Sequence, residues 1–110
     1  MMAFRRVMAL ADLWSGEMVA RVVDGKKVLL VRLGDAVYAY EDRCAHQGVA
    51  LSEGRLDGTT LTCSAHLYQY DACSGRGINP RNLCLLAFAV DIRQGDVFVD
   101  VTHATRSAAP

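Results

Sequence analysis

Two short pairs of metal-binding side chains lie near the middle of this chain, and they constrain its fold more than any other feature. The first is Cys44-Ala45-His46 and the second is Cys63-Ser64-Ala65-His66, with sixteen residues between them. Each pair offers one soft thiolate and one imidazole, and each follows the end of a predicted strand. For both pairs to bind one centre, the fold has to present two loops that face each other.

Short runs of alternating apolar residues fill most of the remaining chain, and they predict strands. Turn signals separate these runs, most clearly Asp24-Gly25, Asp57-Gly58 and Gln94-Gly95-Asp96, each of which predicts a hairpin. No stretch keeps a helical period over twelve residues. The predicted class is therefore all-β, an antiparallel sandwich or small barrel. The predicted strands are 4–8, 17–23, 27–33, 37–41, 55–56, 60–62, 85–92 and 97–101, with one short helical turn over 10–15.

Two regions, 42–54 and 63–80, interrupt this pattern with several glycines, Pro80 and few β-branched residues. They are typical of loops mounted on a rigid scaffold, where binding sites are common. All four candidate ligands fall inside them. The small polar tail, 102–110, is expected to fray and to carry His103 as a solvated side chain.

Length and charge exclude several classes of function. The chain has 110 residues, enough for one domain. Its formal net charge is zero, and nothing in the sequence suggests the basic stripe that a nucleic-acid reader usually shows. The first 13 residues show no signal-peptide pattern, and the longest apolar run, 83–90, is too short to cross a bilayer. We expect a cytoplasmic protein with neither nucleic acid nor membrane as a partner.

Two kinds of centre fit the Cys/His pairs. A single structural zinc with Cys2His2 ligation is the simpler one, but common zinc fingers place the two cysteines together and the two histidines together. Here each pair is mixed. Mixed pairs suit a two-iron, two-sulfide cluster in which one iron takes both cysteines and the other takes both histidines. We therefore favour one 2Fe–2S cluster on Cys44, His46, Cys63 and His66.

The loop sequences resemble those of Rieske iron–sulfur proteins. Residues 44–51 match the first loop, C-x-H-x-G-x-x-L, and residues 63–71 match the second, C-x-x-H-x-aromatic-x-aromatic-D. Residues 77–80, Gly-Ile-Asn-Pro, lie where that family has a proline loop over the cluster. The resemblance implies the Rieske fold in a single domain, 1–110. Its larger base part would be 1–42 and 81–110, and its cluster-binding part 43–80.

Longer segments narrow the resemblance. Residues 14–18, 51–54, 63–67 and 77–80 together resemble the Rieske ferredoxin of bacterial toluene and aromatic multicomponent monooxygenases. This implies a small electron carrier, monomeric in isolation and not itself an enzyme, with a part in aromatic hydrocarbon catabolism. An NADH-dependent flavin and iron–sulfur reductase would reduce it, and it would reduce a di-iron hydroxylase. The ferredoxin of a Rieske ring-hydroxylating dioxygenase, a small subunit of a larger reductase and a zinc module remain as alternatives.

This chain differs from the high-potential Rieske proteins of respiratory complexes, and the differences predict a low midpoint potential. Where those proteins carry a disulfide-forming cysteine in each loop, this chain has Val49 and Ala65, and Tyr68 replaces a serine that donates to a cluster sulfur. Fewer hydrogen bonds stabilise the reduced state less, so we expect the lower end of the Rieske range of about −150 to +300 mV. Tyr70 would raise the potential if its hydroxyl reaches the Cys44 sulfur.

Several residues near the motifs have simpler interpretations. Cys73 and Cys84 lack partners at metal spacing, and we expect Cys84 to be buried in an apolar strand and Cys73 to be exposed in a loop. Trp14 is expected in the core or at a sheet edge, and the resemblance leaves a role in partner docking open. Asp71 would either only terminate a strand or make the structural hydrogen bond that the resemblance implies. Residues 47, 48, 67 and 80 flank the ligands, where they would set the loop geometry, form an apolar rim on which redox partners dock, or do both.

Overall fold

The computed structural model describes residues 3–44, 49–64 and 67–105, which form two antiparallel sheets. The larger sheet has six strands in the order β1-β10-β9-β4-β3-β2. Its strands are β1 (Arg5–Ala9), β2 (Met18–Val23), β3 (Lys26–Leu33), β4 (Ala36–Glu41), β9 (Ala87–Arg93) and β10 (Asp96–Thr105). The smaller sheet has the order β5-β6-β7-β8, with β5 (Arg55–Asp57), β6 (Thr60–Thr62), β7 (Gln69–Asp71) and β8 (Gly77–Asn79). The predicted all-β class is confirmed.

The hairpin turns form where the turn residues predicted them. Asp24 and Gly25 have φ values of 48° and 81° between β2 and β3, and Gln94 and Gly95 have values of 50° and 79° between β9 and β10. Two successive residues with positive φ give the turn whose twist matches the flanking strands. The helical turn predicted over 10–15 is a short 3-10 helix, Leu10–Asp12.

The second ligand-bearing region is more regular than predicted. We expected 63–80 to be loop throughout, but β7 and β8 lie within it and continue the small sheet outward from β6. Each has only three residues, too few for alternation to stand out among the glycines around them. A second short 3-10 helix, Leu51–Glu53, interrupts the first loop region.

Strand β3 packs against one apolar cluster on each of its two faces, and the second of these clusters positions the smaller sheet. Val28 and Leu30 belong to one apolar cluster inside the large sheet, whereas Leu29 and Val31 belong to a second cluster on its other face. Successive side chains of a strand point to opposite faces, so one strand serves both clusters. The second cluster also contains Cys44 and Cys63. The predicted ligand loops are therefore packed directly on the large sheet.

Two expectations about single residues were wrong, and so was the core alternative for Trp14. Residue 103 lies within β10, which continues to Thr105, and not in a frayed tail. Cys84 makes an isolated β-bridge with Arg76 and is only partly buried, so it does not lie in an apolar strand. Trp14 is 70% exposed and does not enter the core, because the chain turns there and buries Leu13 instead.

Among the described residues, no helix has the length and apolar character needed to cross a membrane.

Tyr40 links the large sheet to the β7–β8 hairpin by a hydrogen bond, and this makes the stability of the fold depend on pH in the alkaline range. Its hydroxyl donates to the carbonyl of Ala72 at 2.6 Å, and burial raises the pKa of Tyr40 above its ordinary value, with the nearby Cys73 and Asp71 adding to the rise. This stabilising contribution is fully present below about pH 10, the ordinary pKa of an unfolded tyrosine. It is lost as the pH rises toward the higher pKa of the folded state, because the unfolded chain releases the proton first.

We therefore expect Tyr40→Phe to lower the free energy of unfolding near neutral pH by about 1–3 kcal/mol, since the Ala72 carbonyl loses its donor. The variant is also expected to show a shallower loss of stability between pH 9 and 11 than the wild type, a range set by the ordinary tyrosine pKa of about 10. Urea denaturation followed by circular dichroism across this range measures both effects. If the free energy of unfolding falls equally steeply with pH in the two proteins, Tyr40 is not the titrating group.

Candidate metal centre

Cys44 and Cys63 occupy equivalent places in the structure. Cys44 follows the end of β4 and Cys63 directly follows β6, as the sequence predicted. Both side chains are completely buried, neither is disulfide-bonded, and both belong to the same apolar cluster. The fold thus brings one cysteine from each loop into one buried region.

The backbone closes both loops in the same way. The Cys44 amide donates to the carbonyl of Val49, and the Cys63 amide donates to the carbonyl of Tyr68, each at 2.7 Å. In both loops the acceptor lies five residues beyond the cysteine. His46 and His66, the two predicted imidazole ligands, fall inside these closed segments in the sequence but lie outside the described residues.

The tyrosine expected near the first cysteine is found there. The Tyr70 hydroxyl lies 3.3 Å from the Cys44 sulfur, and Tyr70 is completely buried on β7 opposite Leu61. When Cys44 is a metal ligand its sulfur is a thiolate with no proton to give, so the tyrosine must be the donor. With a metal bound, this contact would be a charge-assisted hydrogen bond from Tyr70 to one predicted ligand.

The two sulfurs fit one side of an iron–sulfur centre. Thiolates are soft ligands that iron–sulfur clusters and zinc both accept, and their surroundings here are apolar: the same cluster contributes Leu51, Leu61 and Leu85. Within residues 3–44, 49–64 and 67–105, no group of three or more histidine, cysteine, aspartate or glutamate side chains comes together. The described part thus brings the two predicted cysteine ligands into one cluster, whereas the two predicted histidine ligands lie outside it.

Gly54 allows the two loops to touch, a role that sequence reasoning missed. A Cβ added to it would lie 2.0 Å from the Thr62 carbonyl oxygen and 3.3 Å from the Cys63 Cα. The end of the first loop therefore packs backbone to backbone against the start of the second. Gly54 follows the Leu51–Glu53 helix, a position where a glycine is common. Its place in the sequence therefore did not show whether the glycine ends the helix or allows a close contact between the loops.

The residues around the predicted centre are divided between surface and interior. Leu67 is 68% exposed and has a φ of 57°, whereas Val49 is partly buried against the second apolar cluster. The proline loop folds back on Gly77, whose added Cβ would lie 2.2 Å from the Pro80 carbonyl oxygen. Gln47 and Gly48, the other two members of the predicted apolar rim, lie outside the described residues.

Cys73 is exposed, as expected for a loop cysteine. Its amide donates to the Asp71 carboxylate at 2.8 Å, which confirms the structural hydrogen bond predicted for Asp71. A side-chain hydrogen bond between Cys73 and Tyr38 raises the pKa of Tyr38 above its ordinary value. Neither Cys73 nor Cys84 belongs to the apolar cluster that holds the other two cysteines.

Removing the Tyr70 hydroxyl is expected to lower the midpoint potential of the loaded protein. A hydrogen bond donated to a ligand sulfur stabilises the reduced state, which carries one more negative charge. If the hydrogen bond stabilises the reduced state by about 1 kcal/mol more than the oxidised state, Tyr70→Phe lowers the one-electron midpoint potential by about 40 mV. A redox titration of both proteins measures the shift. Tyr38→Phe, which alters a tyrosine near Cys73, is the control and is expected to leave the potential unchanged; an unchanged midpoint in Tyr70→Phe would contradict the prediction.

Comparison with known proteins finds one family whose similarity covers most of the chain. The model of the Rieske [2Fe-2S] domain matches residues 3–89. The ferredoxin component of the alkene monooxygenase system of Xanthobacter autotrophicus is 43% identical over 95 residues, covering 84% of this chain and 77% of the relative. Ferredoxin CarAc of Metapseudomonas resinovorans is 35% identical over 97 residues, covering 86% of this chain and 90% of the relative.

Solved structures agree over the same length. The ferredoxin of carbazole 1,9a-dioxygenase from Nocardioides aromaticivorans superposes with a TM-score of 0.82 and 30% identity, covering 89% of this chain and 97% of the other. A chain from the complex of reduced oxygenase and oxidised ferredoxin in carbazole 1,9a-dioxygenase gives a TM-score of 0.80 and 32% identity, covering 88% of this chain and 92% of the other. The similarity thus extends over nearly the whole fold and beyond the two ligand loops.

Proposed function

This chain belongs to the Rieske [2Fe-2S] family, and on that premise we propose that it is a one-electron carrier that serves an oxygenase and catalyses no reaction itself. The observation that carries the proposal is the pair of completely buried cysteines, Cys44 and Cys63, in one apolar cluster beside the Tyr70 hydroxyl. One Rieske-type 2Fe–2S cluster supplies the reversible one-electron chemistry when bound. The protein's own contribution is to bury the sulfurs, exclude water from them and donate a hydrogen bond.

The proposed ligands are Cys44 and Cys63 on the inner iron and His46 and His66 on the outer iron. The burial of both sulfurs supports the inner assignment. Replacing two thiolates by two neutral imidazoles leaves less negative charge on the centre and makes it easier to reduce than an all-thiolate one. The proposed parts of the domain are a base, 1–42 and 81–110, and a cluster-binding part, 43–80, and the entire small sheet falls within the latter.

The oxygenase served is proposed to be a di-iron monooxygenase that acts on an aromatic hydrocarbon. The support is the loop resemblance together with the 43% identity to the ferredoxin component of an alkene monooxygenase system. In this proposal an NADH-dependent flavin and iron–sulfur reductase supplies each electron in the cytoplasm, and the carrier is a monomer between encounters. The exposed Leu67 would lie in the docking rim. Interfaces of such transient redox encounters are small, below about 1,200 Å².

A ring-hydroxylating dioxygenase is the alternative recipient. Its support is also specific, because the ferredoxin of carbazole 1,9a-dioxygenase from Nocardioides aromaticivorans is 30% identical and matches 89% of this chain. Both kinds of recipient accept single electrons, so the distinction concerns the partner and leaves the role of this chain unchanged. Measuring how fast the reduced protein donates to each purified oxygenase separates the two.

Metal analysis of the purified protein, followed by spectroscopy, tests the proposal. We expect two irons and two acid-labile sulfides per chain, with an EPR signal of the reduced protein at the low average g value that imidazole ligation gives. One zinc without sulfide would instead establish the structural zinc module. An iron–sulfur protein that is reduced by NADH and a reductase, but fails to reoxidise with either class of oxygenase, would overturn the electron-carrier role while leaving the cofactor assignment intact.

A further inference from the structure

Asp42 is a nearly buried carboxylate two residues before Cys44, at the point where the chain leaves the large sheet. It is 6% exposed. Its amide donates to the Lys27 carbonyl on β3 at 3.0 Å, which fixes the backbone of residue 42 to the sheet. No ion pair with a lysine or arginine is found for Asp42 within residues 3–44, 49–64 and 67–105. Its carboxylate is therefore directed to other partners.

Both carboxylate oxygens of Asp42 accept hydrogen bonds from the same residue. Oδ1 accepts the Ser52 amide at 2.8 Å and Oδ2 accepts the Ser52 hydroxyl at 2.7 Å. Ser52 lies in the 3-10 helix that ends the first loop, and that helix has no side-chain cap of its own at Ala50. Asp42 thus supplies the acceptor that a helix N-terminus needs, and it does so from the opposite end of the loop.

The Asp42–Ser52 contact closes the first ligand loop a second time, outside the Cys44–Val49 backbone bond. Beyond it, Gly54 rests against the Thr62 carbonyl and Cys63. A continuous set of contacts therefore runs from β3 through Asp42 and Ser52 to the start of the second loop. Within this set, Asp42 and Ser52 supply the side-chain link, whereas the other contacts are made by the backbone.

We propose that Asp42 is a positioning residue for the 2Fe–2S centre, which it does not touch. By holding the two ends of the first loop at a fixed separation, it sets the place of Cys44 relative to Cys63. The inference rests on the proposed function, since it takes these residues as ligands. It goes further in assigning control of the ligand geometry to an acidic side chain outside the ligand set.

Three substitutions separate the parts of this contact. Asp42→Ala removes both acceptors. Ser52→Ala removes only the hydroxyl, and the amide still reaches Oδ1. Asp42→Asn keeps the shape of the contact, because its carbonyl accepts the Ser52 amide and its NH2 group donates to the Ser52 hydroxyl. Ser15→Ala is the matched control, since the Ser15 hydroxyl also accepts a backbone amide, that of Gly34, at the far turn of the large sheet.

The experiment follows the release of iron from the reconstituted proteins in excess EDTA, by the decay of visible absorbance at a temperature where far-ultraviolet circular dichroism stays native. We expect release to be about tenfold faster in Asp42→Ala and about threefold faster in Ser52→Ala, since each lost hydrogen bond weakens the loop. Asp42→Asn is expected to stay within about twofold of the wild type, and Ser15→Ala to match it. The EPR g values of the reduced centre should shift in Asp42→Ala and return in Asp42→Asn.

Each other outcome overturns the proposal. Release from Asp42→Ala at the wild-type rate would show that the contact does not hold the ligand loop. Equal acceleration in Asp42→Ala and Ser15→Ala would indicate a general loss of stability, and an Asp42→Asn variant as fast as Asp42→Ala would exclude positioning by the hydrogen bonds. A wild-type protein that binds no iron–sulfur centre would refute the proposed function itself, and the two failures are therefore distinguishable.

Discussion

Replacing either Cys44 or Cys63 by serine is expected to abolish the 2Fe–2S chromophore, whereas serine at Cys73 or Cys84 is expected to leave it intact. The four cysteines have different surroundings. Two are completely buried in one apolar cluster, one is exposed and one is partly buried. Only the buried pair lies at the starts of the two closed loops.

The physical reason is the loss of a soft ligand in an apolar site. A serine hydroxyl is a hard and barely acidic donor, so it replaces a thiolate poorly on iron. It is also a polar group placed among Leu51, Leu61 and Leu85, where only a hydrogen-bond partner offsets its burial. At position 44 the Tyr70 hydroxyl remains as such a partner, so we expect this variant to fold but to bind no cluster.

Iron and acid-labile sulfide analysis, with absorbance spectra of all four variants, measures the outcome. The expected iron content is near zero for the two buried positions and unchanged for the other two. The contrast between the two pairs is the control, because every variant carries the same chemical change. A Cys63→Ser protein with full iron and an unaltered spectrum would remove Cys63 from the proposed ligand set.

The second large effect is expected from Gly54→Ala. The added Cβ would lie 2.0 Å from the Thr62 carbonyl oxygen, and both groups are backbone, so no side-chain rotation relieves the overlap. The two ligand loops must move apart, at a cost of about 1–3 kcal/mol or more. Because the displaced segment adjoins Cys63, we expect a large loss of iron content as well as a lower melting temperature.

Gly16→Ala separates the two consequences. Gly16 has a φ of 84°, which strains an alanine, but no atom lies within 4 Å of its added Cβ, and its turn precedes β2, far along the chain from the ligands. This variant is expected to melt earlier, by about 4–8 °C for each kcal/mol lost in a domain near 100 residues, with full iron content. A Gly54→Ala protein that melts earlier but retains all its iron would show that the loop contact supports stability alone.

The success of the sequence predictions followed the strength of the local signal. Hairpins at Asp24-Gly25 and Gln94-Gly95 were predicted because those residue pairs adopt positive φ with little strain, and the strands beside them alternate clearly. Strands β7 and β8 were missed, since three residues hold too little alternation and their pairing depends on β6. The core alternative for Trp14 was also wrong, because composition and periodicity do not show which way a turn faces.

By itself, the sequence determined the type of chemistry and the scaffold. Thiolates and imidazoles lie at fixed spacing in loops, and the apolar runs around them are too short and too regularly interrupted for helices. Together these features left few alternatives to a metal centre on an antiparallel β-fold. The tertiary structure decided which groups support the cysteines: the Tyr70 hydroxyl at Cys44, Asp42 across the first loop, and Gly54 between the loops. The Tyr70–Cys44 contact joins residues 26 positions apart, and the Asp42–Ser52 hydrogen bond joins residues 10 positions apart. No local conformational preference specifies such contacts. They arise only when the small sheet packs on β3 and brings both loops into one apolar cluster.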